Sequence, residues 1–86
     1  MTNPIKRIRE EKGLSRDEFA ILCNVSYSVI ASLESSRAVK VNKEVLEVLG
    51  GWGYDSEKIQ EEYKEYRQEL RQNLKVKKAE DDGKSD

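Results

Sequence analysis

Hydrophobic residues recur three and four positions apart along most of the chain, and residues that end helices interrupt the runs. This spacing is typical of amphipathic helices, and no stretch alternates as a β-strand does. We therefore expect an all-α fold of five helices. The first three are predicted over residues 4–12, 16–23 and 27–35, the fourth between Asn42 and Gly53, and the fifth from Asp55 or Ser56 to about Lys78.

The second predicted helix has a strong start signal and an abrupt end. Ser15, with Glu18 three residues later, forms a capping box, and Asn24 tolerates the left-handed conformation of a sharp helix stop. Four residues of this helix are expected to share its inward face: Phe19, Ala20, Leu22 and Cys23.

The third predicted helix follows after a turn of about three residues. Val25 is expected to plug the turn and Ser26 to cap the helix, with Ile30 and Leu33 facing inward. Two short helices joined by such a turn form a helix-turn-helix unit, whose second helix can enter a DNA major groove. This unit is the most informative part of the sequence.

The last two helices carry a denser apolar pattern and then a longer polar one. Asn42 is expected to cap the fourth helix, where Gly50 and Gly51 each cost about 1 kcal/mol relative to alanine. We divide the chain into a helix-turn-helix domain over residues 1–55, a C-terminal helix over 56–78 and a disordered tail over 79–86. The inward positions of the fourth helix are Val45, Leu46, Val48, Leu49 and Trp52.

A stripe of apolar residues runs along the fifth helix, at Ile59, Tyr63, Tyr66 and Leu70. Three interpretations are open: docking on the domain, pairing with a second copy, or contact with a different protein. We favour docking near Ile59 with homodimerisation further along, through Tyr63, Tyr66 and Leu70, because a two-fold dimer suits paired DNA half-sites. The helix also carries an acidic ridge, at Glu57, Glu61, Glu65 and Glu69, and a basic ridge, at Lys64, Arg71 and Lys75.

Charge is unevenly distributed in this 86-residue chain, whose net charge is −1. Residues 1–43 hold eight basic and five acidic residues, whereas residues 44–86 hold eight basic and twelve acidic residues. The basic excess therefore coincides with the helix-turn-helix unit, as binding to a polyanion would require.

The order of these elements resembles the Cro/C1-type helix-turn-helix family of phage repressors and related bacterial regulators, over about Ile5 to Ile59. The residues that carry the resemblance are the run from Ile5 to Ser15, Phe19-Ala20, Val25-Ser26, Ile30, Leu33-Glu34, and Val45 to Leu49 followed by Trp52 to Asp55. Departures are Asn24, where the family usually has glycine, and Ile21, where it usually has a polar residue. The resemblance implies a five-helix Cro/C1 repressor-like DNA-binding domain, here with an extended C-terminal helix.

The same resemblance implies which residues would touch DNA. Tyr27, Ser28, Ala31 and Ser32 would face the bases, although none of them is a strong reader of guanine or adenine. Arg16 is the first phosphate candidate, because a phosphate at a helix N-terminus meets both its charge and free backbone N–H groups. The further phosphate candidates are Arg37, Lys40, Asn42 and Lys43, with Lys6, Arg7 and Arg9 weaker.

Catalytic chemistry has little support in the sequence, and we expect neither an enzyme nor a cofactor. The chain has no histidine, its one cysteine, Cys23, falls at an expected core position, and no metal-ligand spacing is present. The absence of a signal peptide or a long apolar run leads us to expect a cytoplasmic protein, associated with the nucleoid when DNA-bound.

Two functions therefore remain. The first is a sequence-dependent regulator, a repressor, that binds double-stranded DNA as a homodimer with the third helix in the major groove. The alternative is a module of the same fold that binds a protein partner, through Ile21, the third helix or the C-terminal helix, with weak or no DNA binding.

Overall fold

The computed structural model describes residues 2–84, and the side chains of residues 2–74. Within that range the chain is all-helical, as predicted, and the first four helices end within about one residue of their expected positions. The five helices are α1 (Pro4–Glu11), α2 (Arg16–Cys23), α3 (Tyr27–Glu34), α4 (Lys43–Gly51) and α5 (Ser56–Lys84).

Each of the first four helices ends in the same way, with one residue in the left-handed conformation. The backbone N–H of the next residue then bonds back to a carbonyl five positions earlier, as in a Schellman motif. The left-handed residues, with their φ angles, are Gly13 (69°), Asn24 (56°), Ser36 (64°) and Gly53 (94°). Asn24 thus supplies the turn geometry without a glycine.

Helix starts agree less uniformly with the sequence. Ser15 and Glu18 form the predicted capping box, and Asn3 caps α1 while its amide donates to the Leu33 carbonyl at 2.9 Å. Ser26 and Asn42 lie at the N-cap positions of α3 and α4, but neither side chain makes a capping hydrogen bond. These two caps were predicted from residue type, and only the position is correct.

Side chains from all five helices meet in one core, to which both helices of the helix-turn-helix unit contribute. The Phe19 ring stacks on Trp52, with centroids 5.9 Å apart, and so joins α2 to the end of α4. The residues of this hydrophobic core in the described part of the chain are Ile5, Ile8, Phe19, Ala20, Cys23, Ile30, Leu33, Val41, Val45, Leu49, Ile59 and Tyr63. Leu22, which we expected to face inward, is instead exposed, because α2 is covered on one side only, by α3 and α4.

Helix α5 packs across the domain and braces the loop between α3 and α4. The Tyr63 hydroxyl donates to the Ala38 carbonyl at 2.8 Å, and the Gln60 amide bonds both the N–H and the carbonyl of Val41. Arg7 on α1 pairs with Glu62 on the same helix. Hydrogen bonds from α5 therefore hold the loop over residues 36–41 in place.

One expectation for α5 is wrong, and the helix ends later than expected. Tyr63 is fully buried in the core, so it belongs to the docking part of the stripe and cannot form a dimer surface. The helix also continues to Lys84, past its expected end at about Lys78 and into the stretch 79–86 that we expected to be a disordered tail. Residues 75–80 are mostly lysine, alanine and glutamate, which favour helix; residues 85–86 lie outside the described part.

Candidate nucleic-acid interface

One side of α3 is turned away from the core and forms the floor of a shallow depression of about 390 Å³, here called the α3 surface. All four residues expected to face DNA bases line it, and Arg16 and Arg37 line it with them. Ile30 and Leu33 fix this orientation, because both are fully buried on the opposite side of the helix. The residues of the α3 surface are Arg16, Tyr27, Ser28, Ala31, Ser32, Glu34, Ser35 and Arg37.

The Glu34 carboxylate lies beneath this surface, only 1% exposed, and binds two arginines. Arg9 donates to both of its oxygens, at 2.7 and 3.0 Å, and its remaining nitrogen donates to the Leu14 carbonyl at 2.7 Å. The Glu34 hydrogen bond raises the pKa of Arg9. A bidentate pair of this kind is among the stronger protein hydrogen bonds, so it connects α1 firmly to the end of α3.

Arg16 shares the same carboxylate from the solvent side. Its Nε donates to Glu34 Oε1 at 3.2 Å, while its side chain remains 43% exposed. The neighbouring Tyr27 hydroxyl and the Glu34 carboxylate raise the pKa of Arg16. Two arginines on one carboxylate leave a net positive charge at this end of the α3 surface, with Arg16 within reach of an incoming anion.

The cluster of Arg9, Glu34 and Arg16 was not predicted. Arg9 was expected to be a weak phosphate candidate, whereas its side chain is 12% exposed and occupied by Glu34. The one signal in the sequence was the position of Glu34 directly after Leu33, which places a carboxylate at the edge of the inward face of α3.

The remaining phosphate candidates do not all share the α3 surface. Arg37 lies on it and is exposed, whereas Lys40 faces a second groove on the other side of the loop. Asn42 and Lys43 lie at the N-terminus of α4. Lys43 makes only a 4.0 Å contact with Glu47, and the side chains of Lys43 and Glu47 are both exposed. Such a surface pair is weak and leaves the lysine available.

The second groove, here called the α5 groove, separates the α3–α4 loop from α5 and has a volume of about 340 Å³. Four of its seven lining residues are basic and none is acidic. The seven are Val39, Lys40, Gln60, Lys64, Arg67, Gln68 and Arg71.

Two neighbouring apolar side chains on α2 are exposed, Ile21 by 77% and Leu22 by 53%. Cys23, next to them, is buried, and burial raises the pKa of its thiol to about 11. A thiol that stays protonated at neutral pH is a packing group rather than a nucleophile.

No helix in the described part of the chain has both the length and the hydrophobicity that a membrane span requires. Comparisons with protein-family models, with curated proteins and with solved structures found no match to this chain.

Proposed function

We propose that this chain is a sequence-dependent regulator of transcription that binds double-stranded DNA, with α3 in the major groove, and that its five helices have the Cro/C1 arrangement. The α3 surface is the observation that carries the proposal. Its floor is one helix turned outward, and Arg16 and Arg37 line it together with the four residues expected to face the bases. A helix with flanking cations matches the arrangement by which a recognition helix reads bases while basic residues bind the backbone. That it acts as a repressor rests on the resemblance alone.

The residues of the α3 surface favour shape over direct reading. Ser28 and Ser32 hydrogen-bond weakly to any base, and Ala31 offers a methyl group to thymine. Tyr27 reaches outward beside Arg16, where its hydroxyl can contact a base edge or a phosphate. Specificity would then depend on the shape of the duplex and on the spacing of half-sites in a dimer.

A charge reversal at Ser28 tests the proposal. Ser28 is exposed in the first turn of α3, where a carboxylate suits the helix dipole, so Ser28→Glu should fold at least as stably as the wild type. We expect it to weaken DNA binding by more than about tenfold, because like charges brought together at an interface cost several kcal/mol. Fluorescence anisotropy with a random duplex measures this, and Gln72→Glu, exposed on α5, is the charge-matched control.

Salt dependence in the same titration tests the flanking arginines. Arg16→Ala and Arg37→Ala should each weaken binding to all duplexes alike and reduce the slope of log affinity against log salt by about 1. Absence of wild-type binding at low salt would contradict the proposed function. An unchanged slope in either variant would exclude that arginine from the phosphate contacts.

Exposure of Ile21 and Leu22 favours a second candidate, a module that binds a protein partner. These two adjacent apolar side chains on α2 lie outside the α3 surface, so the proposed contact with DNA does not explain their exposure. If the wild type binds no duplex at low salt, this candidate replaces the first, and Ile21→Ser with Leu22→Ser would then abolish the partner contact.

A further inference from the structure

The α5 groove has a shape that the chain itself holds in place. The Arg67 guanidinium donates from Nε to the Ser36 carbonyl at 3.0 Å and reaches the Val39 carbonyl at 3.5 Å. Gln60 accepts from the Val41 N–H at 2.7 Å and donates to the Val41 carbonyl at 3.0 Å. The loop wall and the helix wall are thus joined at both ends, and the groove is formed before any ligand arrives.

Its lining is strongly cationic. Lys64, Arg67 and Arg71 lie three, four and seven positions apart on one face of α5, and Lys40 adds a fourth positive charge from the loop. None of the ion pairs among the described side chains involves any of these four residues. Like charges at this spacing oppose a helix by a few tenths of a kcal/mol per pair, which an anion in the groove would reverse.

The α5 groove and the α3 surface are connected through the loop between α3 and α4. Arg37 lines the α3 surface and Lys40 lines the α5 groove, so one short loop carries a cation to each side. A duplex carries one phosphate charge for about every 1.7 Å of its axis, so a duplex longer than the α3 surface has further phosphates to offer to cations beyond it.

We propose that the α5 groove binds phosphodiester oxyanions of the same DNA duplex, outside the segment contacted by α3, so that the C-terminal helix is part of the DNA-binding surface. Lys40, Lys64 and Arg71 contact the phosphates, while Arg67 positions the loop through its bonds to the backbone. This inference rests on the proposed function and adds to it a role for α5 other than docking or dimerisation.

The double variant Lys64→Gln with Arg71→Gln tests the proposal. Both residues are exposed and glutamine keeps the helix propensity, so the variant retains the fold, which circular dichroism checks. We expect weaker binding to random duplex and a salt slope smaller by about 2, one unit for each lost contact. Lys12→Gln with Lys58→Gln, which removes equal charge outside both surfaces, should leave the slope unchanged.

A variant of Lys40, in the loop between α3 and α4, tests the other wall of the α5 groove. Lys40→Gln should reduce the slope by about 1 without touching α5. Wild-type binding with unchanged slopes in Lys40→Gln and in the α5 double variant would overturn this inference alone. Failure of the wild type to bind any duplex would overturn the proposed function and this inference with it.

A final titration separates DNA from free phosphate compounds, which offer the same oxyanions. Inorganic pyrophosphate is added at constant ionic strength, and amide shifts of residues 39–41 and 64–71 are followed by NMR. Weak, non-saturating shifts, together with the slope changes above, support the duplex as ligand. Saturable pyrophosphate binding with unchanged DNA slopes would assign the groove to small phosphate compounds and overturn the proposal.

Discussion

Ser36, at the end of the helix-turn-helix unit, has an unfavourable backbone conformation and an unfavourable side-chain environment. It holds the left-handed conformation that ends α3, and its hydroxyl is buried with no hydrogen-bond partner in the described structure. The equivalent positions after α1 and α4 are glycines, which adopt this conformation without steric cost. Ser36 therefore costs stability at the point where the loop beside the α3 surface begins.

Replacement of Ser36 by glycine should stabilise the protein. Ser36→Gly relieves the left-handed strain and removes the unpaired hydroxyl, and we expect the free energy of unfolding to rise by about 1 kcal/mol. Urea denaturation followed by circular dichroism measures it. Ser35→Gly is the control: Ser35 has an ordinary φ of −88°, so glycine there should lower the stability.

Glu34 contributes to the stability of the fold through its buried ion pairs with Arg9 and Arg16. Glu34→Gln keeps the shape but weakens the charge-assisted bonds from Arg9 and Arg16, and we expect a loss of about 2–3 kcal/mol in unfolding free energy. Glu62→Gln, which removes a half-exposed partner of Arg7, should cost less than about 1 kcal/mol. Equal losses in the two variants would contradict a special role for the buried carboxylate.

The apolar stripe of α5 predicted an interface but did not determine whether it faces the domain, a second copy or another protein. Ile59 and Tyr63 are buried against the domain, whereas Tyr66 and Leu70, one and two turns later, are only half-buried. The stripe thus divides into a docking part and a part that keeps apolar surface in reach of solvent. Tyr66 and Leu70 remain the dimer candidates.

A charge on the outer part of the stripe tests for the dimer. If α5 pairs with a second copy, Leu70→Glu should convert the dimer to a monomer in sedimentation velocity, because it brings two carboxylates to one interface. Gln72→Glu, off the stripe, should leave the mass unchanged. A monomeric wild type at high micromolar concentration would contradict homodimerisation in the absence of DNA.

At the scale of the molecule, α5 is part of the domain and not an appendage to it. Its first two turns supply Ile59 and Tyr63 to a core of twelve residues, and Gln60 and Tyr63 bond the loop that follows α3. The boundary expected at residue 55 therefore separates elements that share one core.

Truncation at that boundary should abolish the fold. A fragment of residues 1–55 would leave the core open where two large side chains are missing, each deletion costing about 2–5 kcal/mol in a domain with little stability to spare. We expect its circular dichroism to show loss of cooperative thermal unfolding. A fragment of residues 1–74, which retains every buried residue of the described structure, should unfold cooperatively.

The local features of this chain were predictable from its sequence. The helices start at Asn3 and Ser15 and stop at Gly13 and Asn24, and these limits depend on contacts within a few residues. Periodicity placed Ile30 and Leu33 on one side of α3, which is the inward side in the structure. A capping box or a left-handed stop needs no distant partner, so residue type and spacing determine it.

Tertiary packing alone decided what each helix face meets. Periodicity placed Leu22 and Tyr63 on apolar faces, but α2 leaves Leu22 in solvent while the domain buries Tyr63. The number of charged residues could not show that the Glu34 carboxylate lies buried between two arginines. It also could not show that Lys40 lines the α5 groove and not the α3 surface. A residue's own helix determines its direction, whereas its burial and its charge partners depend on chain brought close only by folding.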